Sequence, residues 1–297
     1  MDTLKLSPDE KIVPWTDVRE CAALMNSTWK VPRWEYTPEY LSAYLHRPSA
    51  EIPYSVGVRC GEEMGGYICF LPFRISLNAT PARVAYGTWW SAKQKFMFRR
   101  IGAKLVYEAV SWAQQQRMDA VISINRKDSG EEKAFSRTIA AMNLSFIPLH
   151  TFKQYAAPPR SVVNRTSAFR THMYCERLTH TQLSQVASLV CGRSAPRGLF
   201  RHYVQDEISF VFIDRPNTRS WICGDDSGPR AVVNIMLKKY RSDALIVNAY
   251  LEHLHVERLT CEEFGWFLNK ILEDDIFTGV YALIVPDTSV VPSSYLA

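Results

Sequence analysis

Met97-Phe98-Arg99-Arg100-Ile101-Gly102-Ala103-Lys104-Leu105 is the stretch on which the fold turns. Ile101, Leu105, Ala109 and Trp112 recur at helical spacing, which predicts a long helix over residues 96–116 with a single apolar stripe. The first turn of a helix presents backbone N–H groups that have no partner within the helix, together with the positive end of its dipole. Gly102 and Ala103 are small enough for an anion to approach that turn, and Arg99, Arg100 and Lys104 surround it with positive charge. Arg99, Arg100, Ile101, Gly102, Ala103 and Lys104 therefore form a candidate anion site. The competing reading is a surface basic pair that opens an ordinary amphipathic helix.

Outward from this helix the periodicity alternates between helix and strand. Upstream, residues 15–29 and 38–47 read as helices, the second started by Thr37 as N-cap and Pro38 at the first position. Residues 54–60, 65–73 and 83–90 read as strands. Downstream come a buried strand at 119–125, a helix at 130–142 and a strand near 144–151. Residues 152–172 carry Pro158-Pro159 and no periodicity, which marks a linker. The order then repeats: helix 180–192, strands 207–213, 219–223, 230–238 and 243–250, helix 257–273, strand 277–285. The expected fold class is α/β (α+β). Residues 1–151 and 173–297 form two halves of the same element order, each a mixed, largely antiparallel sheet flanked by helices.

Composition narrows the function. Of 297 residues, 47% are hydrophobic and 22% charged, which is globular, and no apolar run approaches the ~18 residues of a membrane span. A net charge of +5, spread along the chain, suits an anionic small molecule better than nucleic acid. Seven cysteines without a CxxC argue against a disulfide framework or a zinc site. With no signal pattern at Met1–Lys11, the expected location is cytoplasmic, without integral membrane association.

The element order, with a basic turn opening the main helix, resembles the GNAT acyltransferase superfamily, in which that turn holds the coenzyme A pyrophosphate. Gly102 fits the second glycine of the motif, while Arg100 stands where the first is usual. Longer stretches resemble the N-myristoyltransferase family, which consists of two GNAT-like halves. These are Trp34-Glu35-Tyr36-Thr37-Pro38-Glu39-Tyr40-Leu41 followed by His46-Arg47-Pro48, then Val56-Gly57-Val58-Arg59, Gly65-Gly66-Tyr67-Ile68, Leu71-Pro72-Phe73-Arg74-Ile75, Asn248-Ala249-Tyr250 and Val280-Tyr281-Ala282-Leu283. The similarity runs weakly over residues 15–287 and is most specific over 33–75.

The resemblance implies an acyl-CoA-dependent N-acyltransferase in which an amine attacks the thioester directly. Acyl-CoA is the co-substrate, no metal takes part, and the acceptor is an amine on a peptide, protein or small molecule. The first half is the acyl-CoA side and the second the acceptor side. Trp89 and Trp90 match the family's backbone oxyanion hole, and a backbone donor tolerates a change of side chain; the alternative is a plain buried strand end. Lys93, Lys95, Arg99 and Arg100 keep four basic positions of the family's basic run. Tyr36, Asn248 and Tyr250 are the expected acceptor contacts. The family's base is its C-terminal carboxylate, which puts Ala297 forward although this chain is shorter there; Glu252, His253 and His255 are the other candidates. Arg137-Thr138-Ile139-Ala140-Ala141-Met142-Asn143 keeps only the Asn of a family helix, which puts the usual peptide in doubt. The alternative function is a degenerate GNAT-fold binding module without catalysis, working through a protein partner.

Overall fold

A computed structural model describes residues 5–31, 33–48, 51–77, 80–125, 127–147, 154–159, 172–191, 199–257 and 259–286. In chain order the elements are β1 (Glu10–Pro14), α1 (Val18–Thr28), β2 (Arg33–Trp34), α2 (Pro38–Leu45), β3 (Tyr54–Cys60), β4 (Glu63–Leu77), β5 (Thr80–Ala92), α3 (Ile101–Gln115), β6 (Ala120–Ser123), α4 (Gly130–Ala141), β7 (Gln154–Ala157), β8 (Tyr174–Arg177), α5 (Leu183–Cys191), β9 (Leu199–His202), α6 (Gln205–Ser209), β10 (Thr218–Asp225), β11 (Gly228–Arg241), β12 (Leu245–Val256), α7 (Cys261–Leu272) and β13 (Val280–Pro286).

The chain divides into two compact units. One comprises Met1–Lys30, Tyr36–Thr151 and Ala195–His202; the other comprises Val31–Glu35, Phe152–Ser194 and Tyr203–Ala297. The first contains the sheet β1-β3-β4-β5-β6, with β9 added to β4; the second contains β7-β13-β12-β11-β10-β8, with β2 added to β11. The two share a topology. In the first, β3, β4 and β5 form an antiparallel meander, α3 crosses over, and β6 returns parallel to β5. In the second, β10, β11 and β12 form the meander, α7 crosses over, and β13 returns parallel to β12.

Alternation along the strands sets the layers. In the first unit Val56, Val58, Ile68 and Phe70 meet Ile101, Leu105, Val106, Ala109 and Val110 of α3 and Phe135 and Ile139 of α4. The residues between them, Tyr67, Cys69 and Leu71, are buried on the other face, where α1 and α2 lie. In the second unit Val233, Ile235 and Leu251 pack with Phe264, Phe267 and Ile271 of α7. On its other face Ile222 and Val232 meet Val186, Leu189 and Val190 of α5 and Ile208, Val211 and Phe212.

Three expectations are corrected. Residues 207–213 are not a strand: α6 is followed by a π turn over Phe210–Asp214. The buried positions, Ile208, Val211 and Phe212, follow helical spacing, and the Ser209 hydroxyl donates to Asp214 Oδ2 at 2.5 Å, five residues on. The helix expected from residue 96 begins at Ile101; Gln94–Arg99 is a 3-10 turn, and Arg100 adopts the left-handed conformation at φ 54°. The apolar stripe does not extend into that turn, because Phe98 stands 89% exposed. Within the expected linker, Gln154–Ala157 forms a strand on β13.

Candidate active site

The first unit's site begins with an interruption of its sheet. Pairing of β4 with β5 shifts between Tyr67↔Ser91 and Cys69↔Thr88, so Ile68 faces both Trp89 and Trp90. A bulge of this kind leaves one residue outside the hydrogen-bonded ladder and bends the strand. Trp89 takes the left-handed conformation at φ 56° to make it. Just before the bulge, β5 loses its other neighbour: the parallel pairing with β6 ends at Gly87↔Ser123. From residue 88 to 92 that edge of β5 has no strand partner among the described residues.

The two indoles leave the bulge on opposite faces. Trp89 is buried against Tyr40 and Tyr44 of α2, with ring centroids at 6.0 and 5.6 Å. Trp90 turns to the α3–α4 face, 6.3 Å from the Phe135 ring. It also explains Gly102, since a Cβ there would lie 3.0 Å from Trp90 Cζ2. The buried Trp90 Nε1 makes no hydrogen bond among the described residues. A buried donor without a partner is costly and marks a place where an acceptor is missing.

The start of α3 is open in the same region. Side chains of Asp17, Thr37, Ser129 and Thr260 cap α1, α2, α4 and α7, whereas Arg100 gives α3 no side-chain cap. The first amide bonded back into the helix is that of Lys104, to Arg100 O at 3.0 Å. The N–H groups of Ile101, Gly102 and Ala103 are left as donors.

Most of the predicted basic residues already hold carboxylates. Lys93 and Lys95 both bind Glu63. Arg99 binds Asp9 at 2.5 Å and holds the Asp9 carboxyl below its ordinary value. Lys104 is buried, 2.5 Å from Glu10 Oε2, on a side chain with no exposed surface. Glu10 Oε1 makes no hydrogen bond among the described residues and lies 3.9 Å from Arg99. Arg100 alone in this run is exposed and without an ion pair among the described residues. Glu10, Asp9 and Glu63 were missed because nothing local in the sequence ties them to residues 30 to 94 positions away.

The second unit repeats the framework and closes it. Its bulge falls between Asn234↔His253 and Ile235↔Leu251, which makes Glu252 the extra residue. Glu252 bonds Lys238 at 2.5 Å and Arg215 at 3.0 Å. Arg215 continues to Asn234 Oδ1 at 2.7 Å, and Asn234 to Ser220 Oγ at 2.9 Å. Burial pushes the Glu252 carboxyl up, but Lys238, Arg215 and His253 outweigh it and bring it down to about 2. The corresponding crossover helix, α7, is sealed by a capping box in which Thr260 Oγ1 accepts from Glu263 N–H and Glu263 Oε2 from Thr260 N–H.

The remaining predicted residues are placed as follows. His253 Nδ1 lies 3.0 Å from the Tyr203 hydroxyl, and the His253 and His255 rings both pack on Tyr203 and Phe212. The Tyr250 hydroxyl accepts from Trp34 Nε1 at 2.8 Å, and the Lys238 ammonium lies over both rings. Burial raises the Tyr250 phenol. Asn248 is buried, and its Oδ1 has no hydrogen-bond partner among the described residues. Tyr36 belongs to the first unit, exchanging two hydrogen bonds with Asn26 through its backbone. Ala297 lies outside the described residues.

Burial raises the thiols of Cys21, Cys60, Cys69, Cys175, Cys191 and Cys223, that of Cys69 to about 12, so none of them is poised as a thiolate. Among the described residues no group of three or more His, Cys, Asp or Glu is placed to hold a metal, and no helix is long and apolar enough to cross a membrane.

An antiparallel meander with a bulge between its second and third strands, a crossover helix and a parallel return strand recur in both units. No protein-family model and no curated protein matches the sequence. Solved structures do match. Saccharomyces cerevisiae N-myristoyltransferase with bound myristoyl-CoA aligns over 95% of this chain and 74% of its own, with a TM-score of 0.71 and 10% identity. The same enzyme with myristoyl-CoA and inhibitors aligns over 95% and 75%, with a TM-score of 0.71 and 12% identity. A conserved Enterococcus faecalis protein of unknown function, described as a probable N-acyltransferase, aligns over 93% and 65%, with a TM-score of 0.58 and 10% identity. At such identities the likeness is one of fold: this chain has the fold of N-myristoyltransferase.

Proposed function

We propose that the chain is an acyl-CoA-dependent N-acyltransferase whose donor site is in the first unit. The observation that carries this is the open first turn of α3 beside the bulged, unpaired edge of β5, set against a second unit whose crossover helix is capped and whose bulge residue, Glu252, is held by Lys238 and Arg215. The Ile101, Gly102 and Ala103 amides, with Arg100 beside them, would hold a pyrophosphate. The unpartnered Trp90 Nε1 next to Gly102 fits an oxygen-rich ligand there. Amides at Trp89 and Trp90 would polarise the thioester carbonyl, leaving the amine to attack directly, since no described cysteine is activated as a nucleophile. We assign the acceptor to the second unit, where Asn248 and Tyr250 remain the candidate contacts, with Tyr36 in the first. Glu252 is a poor base: a carboxyl at about 2 has little drive to take a proton from an amine. His253, and Ala297 beyond the described residues, remain the candidates for that role.

One observation favours the second reading, a binding module without catalysis. Glu63, Asp9 and Glu10 neutralise Lys93, Lys95, Arg99 and Lys104, so a pyrophosphate must compete with carboxylates already in place. Thermal shift with free CoA and acetyl-CoA separates the two. A ligand that binds only the folded chain raises the melting temperature. The donor site requires such a rise, and requires Arg99→Ala with Arg100→Ala to abolish it without lowering the unliganded melting temperature. No rise with either compound supports the module.

A further inference from the structure

We infer that the acyl group carried to this site is short, because Trp89, Tyr40 and Tyr44 fill the face of the sheet toward which it would extend. The inference rests on the proposed donor site and adds the class of donor. A pyrophosphate at the first turn of α3 lies on the α3 face of the first sheet. The edge of β5 beyond Gly87 has no strand partner among the described residues, so a thioester that reached the bulge from there would cross the sheet at that edge, with its acyl carbons directed to the α1–α2 face.

That face is occupied by aromatic rings. The Trp89 indole meets Tyr44 edge-on at 5.6 Å and Tyr40 at 6.0 Å, and Tyr40 meets Tyr44 at 4.9 Å. The row goes on through Tyr36, 6.2 Å from Tyr40, to Trp29, 6.3 Å from Tyr36. Rings at these separations are in contact and leave no methylene-wide gap between them. Behind them Met25, Leu41 and Tyr67 are wholly buried, so displaced rings have no room to retreat inward. Trp89 keeps its bulky side chain at a left-handed position that glycine would occupy freely, as expected if the ring itself has a use. A long chain enters only if Tyr40 or Tyr44 swings out to solvent.

The test is calorimetric affinity for free CoA and for acetyl-, butyryl-, octanoyl- and myristoyl-CoA below their micelle concentrations. It uses the full chain, Tyr44→Ala, and Tyr44→Leu as a milder variant should alanine impair folding. Each methylene that finds apolar burial contributes roughly fourfold in affinity. The wild type is expected to gain affinity up to butyryl and none beyond it. Removing the Tyr44 ring is expected to raise octanoyl-CoA affinity by about fifteenfold, the worth of two newly buried methylenes, while leaving free CoA unchanged. A wild-type affinity that climbs through myristoyl overturns the inference while the donor site stands. A ladder unaltered in either Tyr44 variant overturns the assignment to these rings. No binding of any CoA species, free CoA included, overturns the donor site and the inference with it.

Discussion

Replacing Glu252 by Gln tests whether this residue holds the second unit together or acts as a base. In the folded chain its carboxyl lies at about 2 against an ordinary 4.5, because Lys238 and Arg215 outweigh burial. That difference corresponds to about 3 kcal/mol of stability at neutral pH. Glu252→Gln removes the carboxylate that Glu252 presents to Arg215 and Lys238, 3% and 11% exposed, and breaking a buried pair from one side costs about 3–5 kcal/mol. Both figures measure the same interaction and agree. The sign follows from a depressed carboxyl: the contribution is complete above about pH 4.5 and disappears as pH falls through about 2. The gap between wild type and variant should therefore be about 3 kcal/mol at pH 7 and roughly half of that or less at pH 3. Urea unfolding at both pH values, followed by tryptophan fluorescence, reads it directly, and taking the difference between the two proteins cancels the other carboxylates. A gap below about 1 kcal/mol at pH 7, or one that does not narrow by pH 3, refutes the ion-pair hub. Loss of turnover at unchanged stability would restore Glu252 as the base.

Three further outcomes follow from the first unit. Lys104→Met strands the buried Glu10 carboxylate and should cost about 3–5 kcal/mol in denaturant unfolding at pH 7. Arg100→Gly relieves a left-handed backbone and should stabilise the chain by about 1 kcal/mol, while weakening free CoA in calorimetry. Asp9→Asn releases Arg99 from its partner and should tighten CoA binding with little change in melting temperature; an unchanged affinity would show that Arg99 takes no part.

The element order and the duplicated layout were legible because long strands and the α3 stripe carry strong periodicity. Ile101, Leu105 and Ala109 were read on the right helix face, while the helix start was placed at residue 96 instead of Ile101. What was not legible is what pairs with what. The basic run looks uniformly available in sequence, yet four of its members are answered by Asp9 and Glu10 at the start of β1 and by Glu63 at the start of β4. Glu252 read as a candidate base because a bulge and its two cations depend on the register of β11 against β12, which no local pattern encodes. Residues 207–213 looked like a strand because apolar content masked the three- and four-residue spacing of the buried positions. The small-to-Arg departure at position 100 becomes intelligible only with its φ of 54°, the conformation for which glycine is usual.

The two units also provide an argument that neither provides alone. An uncapped helix start forgoes about 1 kcal/mol, and a non-glycine residue held left-handed forgoes about as much again. The first unit bears both costs at α3 and Arg100, and adds a second left-handed residue at Trp89. The second unit shows that the same topology does not require them: α7 closes with a capping box, and its bulge is filled by a satisfied ion pair. The strain at Arg100 and Trp89 is therefore not required by the topology. Both residues lie where a strand loses its neighbour and a helix offers free amides, which is where the proposed donor site would hold an anionic thioester and polarise its carbonyl.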